Sequence, residues 1–297
     1  MSNPAEHVTD ANYFELPHAL GGKYELPNFG TVEVGGVTFD LQLTKFMVLE
    51  AAVAVFLLLV FIPLARRIAT GRAPRGYFWN FFEAIILFIR NEVVRPSIGK
   101  THAEGHGAEG HHAEGRHDDN PYRDADRFLP FILTLFFFIL GCNLAGLLPW
   151  CGSPTGALGM TSALALIAFL CVIGAGMAKF GAVKFWLGLC PHMDVPLVLK
   201  LPLVPMMLVI EVFGLGIKHT VLAVRLLSNM FAGHLVVAVV LGFIVMFANS
   251  LAWYGVMPIS VLGATALNML ELFVAFLQAY LFAFLTALFI GMAVHQH

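Results

Sequence analysis

Arg225 stands inside an apolar run that extends from Leu201 to Ala248. Arginine keeps its charge in proteins, and a charged side chain at the centre of a lipid bilayer costs roughly 2.5–3.5 kcal/mol even on the most lenient insertion scale. A chain that keeps such a charge in such a run therefore has a use for it. Ser228, Asn229 and His234 follow closely and can all form hydrogen bonds. The segment predicts a polar site within a membrane-spanning helix.

The composition of the whole chain agrees with this membrane setting. Of its 297 residues, 59% are hydrophobic and 12% are charged, and the mean hydropathy is +0.80. Soluble domains carry about 25% charged residues, so the balance predicts an integral membrane protein. The net charge of −2 argues against a nucleic-acid partner. The sequence contains no glycine-rich phosphate loop and no zinc-protease signature, and we expect no cofactor.

Residues 1–40 form a polar leader that we expect to be loosely structured, without the basic start and apolar core of a cleavable signal peptide. The first span, 41–65, is long enough to cross a hydrocarbon core of about 30 Å. Four arginines follow it within one short loop: Arg66, Arg67, Arg72 and Arg75. The positive-inside rule then places this loop in the cytoplasm and the N-terminus outside.

The segment from Gly76 to Ile98 differs from a span, because four charges interrupt its aromatic and aliphatic residues. These charges are Glu83, Arg90, Glu92 and Arg95. Such a pattern favours a helix that lies at the membrane interface. We group it with the first span as residues 41–98 of a single membrane domain.

Residues 99–121 are a low-complexity insertion that nearly repeats His-x-Glu-Gly. Its histidines are His102, His106, His111, His112 and His117. A metal-buffering loop is one interpretation, but a solvated, flexible insertion that cannot build a core is favoured. The four cysteines have no CxxC spacing, and we expect them to be small buried side chains.

Residues 122–297 complete the membrane domain. A hairpin of two spans is predicted at 127–148 and 160–178, followed by two longer apolar segments at 204–248 and 255–294. As helices, the long segments would measure about 65 Å and 60 Å, twice the hydrocarbon thickness. Each must therefore break into two spans or cross at a very large tilt. Either way the fold class is an all-α polytopic membrane protein.

Polar residues on both long segments fall into stripes when drawn on a helix. The stripe on the first segment contains Glu211, Lys218, Arg225 and Asn229. The stripe on the second contains Asn268, Glu271 and Gln278. Carboxylates inside a membrane usually mark an ion path, although two helices held together by polar side chains would show a similar pattern. We expect Lys218 only to extend its amine toward the interface.

His234 follows Arg225 by nine residues, which is about 180° around a straight helix. The two side chains cannot line one narrow pore unless the helix bends. A histidine paired with a carboxylate can relay protons near neutral pH, whereas an arginine can only repel cations or pair with an anion. The pattern thus separates groups that conduct from a fixed charge that blocks.

The run Arg225–Leu235 (Arg-Leu-Leu-Ser-Asn-Met-Phe-Ala-Gly-His-Leu) resembles the hallmark segment of subunit a of the rotary ATP synthase membrane sector. The segments Asn143–Pro149 (Asn-Leu-Ala-Gly-Leu-Leu-Pro) and Leu277–Phe282 also match that family, as does Glu211, fourteen residues before the arginine. The resemblance covers residues 41–294 and leaves out the leader and the His-rich insertion.

This resemblance implies a fold and a set of partners. The fold would be an amphipathic segment, a membrane hairpin and two long, strongly tilted helices packed on a ring of c subunits. The partners would be that ring, the b-subunit peripheral stalk, lipid and, indirectly, the catalytic head. The chain would be a proton-channel stator subunit in a bacterial inner membrane, with no catalytic activity of its own.

The resemblance also assigns roles to six residues. Arg225 would face the carboxylate of the ring, with Asn229 and Gln278 beside it. Glu211 would belong to the cytoplasmic half-channel, and His234 and Glu271 to the half-channel on the opposite side. Many bacterial relatives of that family carry a carboxylate at the first of these two positions and a histidine at the second, whereas this chain has His234 first and Glu271 second. This reciprocal exchange suggests that the two side chains touch.

Two other classes of function fit the sequence less well. A cation or metal secondary transporter with a His-rich regulatory loop would show inverted repeats and discontinuous helices, and neither is visible in the sequence. A purely structural membrane subunit would not need aligned ionisable stripes.

Overall fold

The computed structural model describes residues 10–15, 23–34, 37–69, 76–99, 123–148, 152–188 and 197–295. Five helices of this described part are long and apolar enough to cross a membrane. They are Lys45–Ala69 (α1), Arg123–Gly146 (α4), Leu158–Phe180 (α5), Leu197–Met246 (α7) and Trp253–Val294 (α8). The short helix Ala182–Gly188 (α6) follows α5 in the sequence. The predicted all-α polytopic class is confirmed.

The chain divides into two compact units. The first comprises residues 1–63, 137–163 and 223–279, and the second comprises residues 64–136, 164–222 and 280–297. All five long helices contribute residues to both units. The polar segment that begins at Arg225 and the carboxylate of Glu271 belong to the first.

Two small hairpins precede α1, where the sequence predicted only a loose leader. Strands Tyr13–Glu15 (β1) and Lys23–Glu25 (β2) form one, and Asn28–Val34 (β3) and Val37–Gln42 (β4) form the other, both antiparallel. The alternation of apolar and polar residues along 31–39 has the period of a strand, and two glycines separate the paired runs, as hairpins commonly require. The first span consequently begins at Lys45.

The first turn of α1 is capped by Asp10 and Ala11 of the leader. The backbone N–H of Phe46 donates to Asp10 Oδ1 at 3.3 Å, and the N–H of Lys45 donates to the carbonyl of Ala11 at 2.9 Å. The first four N–H groups of a helix have no partner within it, so these contacts satisfy two of them. Lys45 itself is buried, with 5% of its surface exposed.

The segment predicted to be interfacial is helical and is not among the candidate spans. Helix Tyr77–Phe88 (α2) continues through a π-helical turn, Ile89–Val94, into Arg95–Ile98 (α3). No residue of α2 is buried, whereas the turn and α3 bury Ile89, Val93, Val94 and Ile98. Phe78 and Phe81 of α2 are 52% and 58% exposed, so this helix presents aromatic surface that can contact lipid, as the amphipathic pattern predicts.

A three-residue ion cluster joins this segment to α4. Asp126 accepts hydrogen bonds from Arg90 Nη2 at 2.7 Å and from Arg95 Nη2 at 3.3 Å. The hydrogen bond to Asp126 raises the pKa of Arg90 above its ordinary value, so the guanidinium stays charged at any pH the protein meets. The cluster holds α3 close to the start of α4, the two helices that residues 100–122 connect in the sequence.

Both long segments form continuous helices, so the alternative in which each breaks into two spans is wrong. Helix α7 has 50 residues and α8 has 42, which corresponds to about 75 Å and 63 Å. A helix of that length stays within a hydrocarbon core of about 30 Å only if it is steeply inclined. A strong tilt therefore remains the prediction for both.

The two long helices differ in how they are packed. Half of the most apolar stretch of α8 is buried, but only 6% of that of α7. Side chains such as Phe213, Ile217 and Val221 on α7 are 68%, 60% and 49% exposed. Helix α8 is therefore a core element, and α7 presents a long apolar face to its surroundings.

Candidate functional site

Buried polar side chains are concentrated in the first unit. Of those found in the described residues, eight belong to it: Lys45, Asn143, Ser153, Thr155, Thr161, Ser260, Glu271 and Gln278. The second unit contains His219 and Thr286. Buried polar groups need hydrogen-bond partners or a functional reason, and this uneven distribution locates the candidate site.

The structure brings His234 of α7 and Glu271 of α8 together. His234 Nδ1 lies 3.7 Å from Glu271 Oε1, and the two side chains are 19% and 6% exposed. This is ion-pair distance, slightly longer than a hydrogen bond. It is the proximity that the reciprocal exchange predicts.

The pair retains hydrogen-bonding capacity that the described residues do not use. His234 Nε2 and Glu271 Oε1 are fully buried, and neither has a hydrogen-bond partner within the described ranges. An unpartnered buried polar atom typically destabilises a fold by about 1–3 kcal/mol. A histidine and a carboxyl held close together, with free acceptor or donor positions, can pass a proton to and from a third group.

Gly233 allows α7 to approach the Glu271 carboxyl closely. A Cβ atom at this position would lie 2.8 Å from Glu271 Oε1 and 3.0 Å from its Cδ. Any larger residue would push the carboxyl aside. Glycine at 233 is therefore part of the geometry of the pair.

Arg225 lies on the open, apolar side of α7. It is exposed, and among the residues that the structure describes it has no hydrogen bond or ion pair. Val221, Val224 and Phe231 around it are also exposed. A lone guanidinium on an apolar surface is unfavourable in lipid, so this face is suited to a partner that carries a negative charge.

The stripe predicted along α7 is found on its exposed side. Glu211 and Lys218 are exposed, like Arg225, and Lys218 Nζ lies 6.0 Å from the ring centroid of Phe289 in the second unit. Asn229 is half-buried and its Nδ2 has no partner among the described residues. His234 instead faces α8, as the offset of about 180° from Arg225 predicts.

The polar residues of α8 separate into two environments. Glu271 and Gln278 are buried, at 6% and 5% exposure, whereas Asn268 is exposed. Asn268 precedes Glu271 by three residues, which places it about 60° away around the helix. The buried stripe of α8 does not extend that far, so the structure does not bring Asn268 together with Glu271 and Gln278. Gln278 makes no hydrogen bond within the described part of the chain.

A buried hydrogen-bond chain beside the pair was missed by sequence reasoning. Thr155 Oγ1 donates to Asn143 Oδ1 at 2.7 Å, and Asn143 Nδ2 donates to the carbonyl of Ala275 in α8 at 3.2 Å. Ser153 Oγ lies 2.8 Å from Thr155 Oγ1. The available signal was an asparagine within an apolar span, but its partners are Thr155, which follows that span, and Ala275 in α8, far away in the sequence.

The structure does not test the metal interpretation of the His-rich insertion. His102, His106, His111, His112 and His117 lie outside the described residues. Within the described ranges no group of His, Cys, Asp or Glu side chains is arranged to hold a metal ion. Cys142 is buried and Cys171 half-buried, both as free thiols, whereas Cys151 and Cys190 fall outside the described ranges.

These features define a class of protein. It is a polytopic α-helical membrane protein with a buried acid–base pair between two of its candidate spans and, separately, an arginine on the exposed surface of one of them. Proteins of this class translocate protons or other ions.

Comparison with known proteins narrows the class. Residues 117–291 match the family described as ATP synthase A chain. ATP synthase subunit a of Chloroherpeton thalassium is 36% identical over 292 residues, which cover 97% of this chain and 75% of that protein. ATP synthase subunit a of Myxococcus xanthus is 37% identical over 307 residues, which cover 100% of this chain and 89% of the Myxococcus protein. The protein called ATP synthase subunit a 2 in Chlorobaculum tepidum is 33% identical, with 97% and 71% covered. The chain belongs to the ATP synthase subunit a family.

Proposed function

We propose that this chain translocates protons along two separate paths within the membrane sector of an ATP synthase, with Arg225 as the barrier between them. As a member of its family it is a non-catalytic subunit of an H⁺-transporting ATP synthase. The secondary-transporter alternative finds no support in these matches. The observation that carries the proposal is a contrast on α7. Arg225 is exposed and has no hydrogen bond or ion pair among the described residues, whereas the His234–Glu271 pair is buried on the other side of the same helix.

The first path delivers protons through His234 and Glu271. Both groups can bind and release a proton, and they lie 3.7 Å apart in a buried setting. A proton can therefore pass from one to the other and then to a carboxylate on a partner subunit. The mobile proton needs titratable groups, and this part of the first unit provides them.

The second path begins where the partner carboxylate returns to Arg225. The guanidinium favours the ionised form of a carboxylate that approaches it, so the proton is released toward the Glu211 side. Because an arginine cannot accept or donate the proton itself, direct leakage between the two paths is blocked. The partner then moves on with its charge neutralised again by the first path.

The partners and orientation follow from this scheme. The partner carboxylate would belong to a c-subunit ring docked on the exposed face of α7, and a b-subunit stalk would hold this chain still while the ring turns. Asn229 and Gln278 would lie beside Arg225 when the ring is bound. The protein is a multi-pass membrane protein of bacterial type, as its relatives are, and we propose that its N-terminus lies outside.

The partner assignment is tested by purification. An affinity tag on this chain should recover a c-subunit oligomer and b subunits from detergent-solubilised membranes, because the exposed charge of Arg225 on α7 is unfavourable in lipid and favours an anionic protein partner. The composition is measured by mass spectrometry, with an unrelated tagged membrane protein as the control. Recovery of this chain alone, from membranes shown to contain assembled ATP synthase, would contradict the proposal.

The close approach at Gly233 leads to a prediction of its own. Gly233→Ala should lower passive proton conduction roughly tenfold, because it displaces the Glu271 carboxyl from His234 and misplaced reacting groups lose rate steeply. The amount of assembled complex should change little, since the displaced group is the flexible end of a side chain. Conduction is measured in vesicles stripped of the catalytic head.

Gly242→Ala is the matched control, because a Cβ at that position of α7 meets nothing within 4 Å. Equal conduction by the two variants would show that the space at Gly233 has no functional role.

A further inference from the structure

We infer that the buried chain of hydrogen bonds Ser153–Thr155–Asn143 positions α8 so that Glu271 stays opposite His234. The inference rests on the proposed function of that pair, and it assigns a role to the connection between α4 and α5. Asn143 and Thr155 have no exposed surface, and Ser153 has 1%. All three residues, the pair and Ala275 belong to the same compact unit.

The hydrogen bonds of this chain have one direction. Thr155 Oγ1 donates its single proton to Asn143 Oδ1, so Thr155 must accept at its oxygen the proton of Ser153, 2.8 Å away. With its oxygen so engaged, the Asn143 amide turns its NH₂ group toward Ala275, whose carbonyl it reaches at 3.2 Å. A carbonyl oxygen has two lone pairs and accepts this bond in addition to that of its own helix.

The anchor point on α8 lies between two predicted functional residues. Ala275 is one turn after Glu271 and about one turn before Gln278. Ala275 is itself completely buried, so the helix meets α4 at this level without an intervening side chain. A bond to the backbone at that position restrains both the rotation of α8 and its height relative to α4, and with them the direction of the Glu271 carboxyl.

Two glycines keep the connection in place. A Cβ at Gly146 would lie 2.5 Å from Ser153 Cβ and 3.0 Å from its Cα, so only glycine lets Ser153 approach α4 this closely. Gly152 has a φ of +68° and, if substituted, would bring its Cβ to 3.1 Å from Lys45 Nζ. A left-handed backbone conformation at close quarters favours glycine. Residues 152–157 are therefore a closely packed part of the core and differ from an ordinary exposed loop.

The side chains of this hydrogen-bond chain are uncharged, so they can position α8 but cannot themselves carry the proton. None of its three side chains titrates near neutral pH, and within the part of the protein that the structure describes none of them forms a hydrogen bond with His234 or Glu271. They act on the pair by fixing the helix that carries Glu271. Among the described residues, the buried Lys45 of α1 is a further charged group whose field reaches His234.

The test replaces Thr155 by valine, which keeps the shape and removes the hydroxyl. In complete ATP synthase reconstituted in liposomes, Thr155→Val should lower passive proton conductance after removal of the head roughly tenfold, as displaced reacting groups do. It should also move the pH midpoint of that conductance, because the surroundings of the pair change. Thr155→Ser retains the donor and should restore both.

Thr161→Val is the control, since among the described residues the buried Thr161 hydroxyl donates only to carbonyls of its own segment, those of Ala157 and Leu158. A wild-type conductance and midpoint in Thr155→Val, or an equal loss in Thr155→Ser or Thr161→Val, would overturn the inference. If Thr155→Val does not assemble, Ser153→Ala, which removes only the outer donor, decides by the same two measurements. Arg225→Ala in the same preparation separates the two levels. If it pumps normally the proposed function fails, and if it is inactive while Thr155→Val is normal only the positioning role fails.

Discussion

Arg225→Ala should abolish ATP-driven proton pumping in membrane vesicles while passive proton conduction through the membrane sector persists. The guanidinium has two tasks in the proposed scheme. It favours loss of the proton from the partner carboxylate, and its fixed charge blocks direct passage between the two paths. Removing it deletes the barrier and leaves the conducting pair His234–Glu271 intact. Loss of coupling with retained leakage is therefore the signature of a barrier.

The measurement compares fluorescence-monitored acidification driven by ATP with proton flow driven by a diffusion potential. Lys218→Ala is the matched control, because Lys218 is another exposed cation on the same stripe of α7, seven residues away. Arg225→Lys should not restore coupling, because a compact ammonium on a flexible stem does not reproduce the planar guanidinium. Pumping at the wild-type rate by Arg225→Ala would refute the central role of this residue.

His234→Glu should lower proton conduction roughly 10²-fold, the usual effect of removing a positioned acid–base group. The substitution sets two carboxyls against each other at a separation near 3.7 Å, and carboxyls that close cannot both ionise easily. Adding Glu271→His to the same chain restores one basic and one acidic partner with their positions exchanged. The double variant should recover a substantial part of the lost conduction.

The singles and the double are compared in vesicles with equal amounts of assembled complex, over a range of pH. Asn268→Asp is a suitable control, since it adds a carboxyl to the exposed side of α8, one turn before Glu271. A double variant that conducts less than either single variant would show that the two side chains do not work as a pair.

The elements that sequence reasoning predicted correctly are those governed by local periodicity. The five spans, the stripe with Arg225 and the opposite placement of His234 all follow from hydropathy and the step of 100° per residue along a helix. Length alone could not decide whether the last two segments break, because continuous and broken helices bury similar apolar surface in a membrane. Their continuity over 50 and 42 residues came from the structure.

The elements that were not predicted depend on residues far apart in the chain. Asn143 and Ala275 are separated by 132 positions, and no local pattern joins them. The linker at 150–159 contains serine, threonine, proline and glycine, which usually form turns, so the sequence predicts only a turn there. The buried hydrogen bonds of Ser153 and Thr155 identify these two residues as part of the core.

The sequence by itself determined that this chain crosses a membrane, that Arg225 needs a function at that depth, and that His234 lies on the other side of its helix. Those conclusions need only the cost of burying charge and the geometry of one helix. The tertiary structure alone decided that half of the most apolar stretch of α8 is buried while that of α7 is almost entirely exposed. It also decided that Asn143 donates a hydrogen bond to α8 one turn from Glu271. Packing and hydrogen bonding between distant segments depend on how helices meet, and helical periodicity carries no information about that.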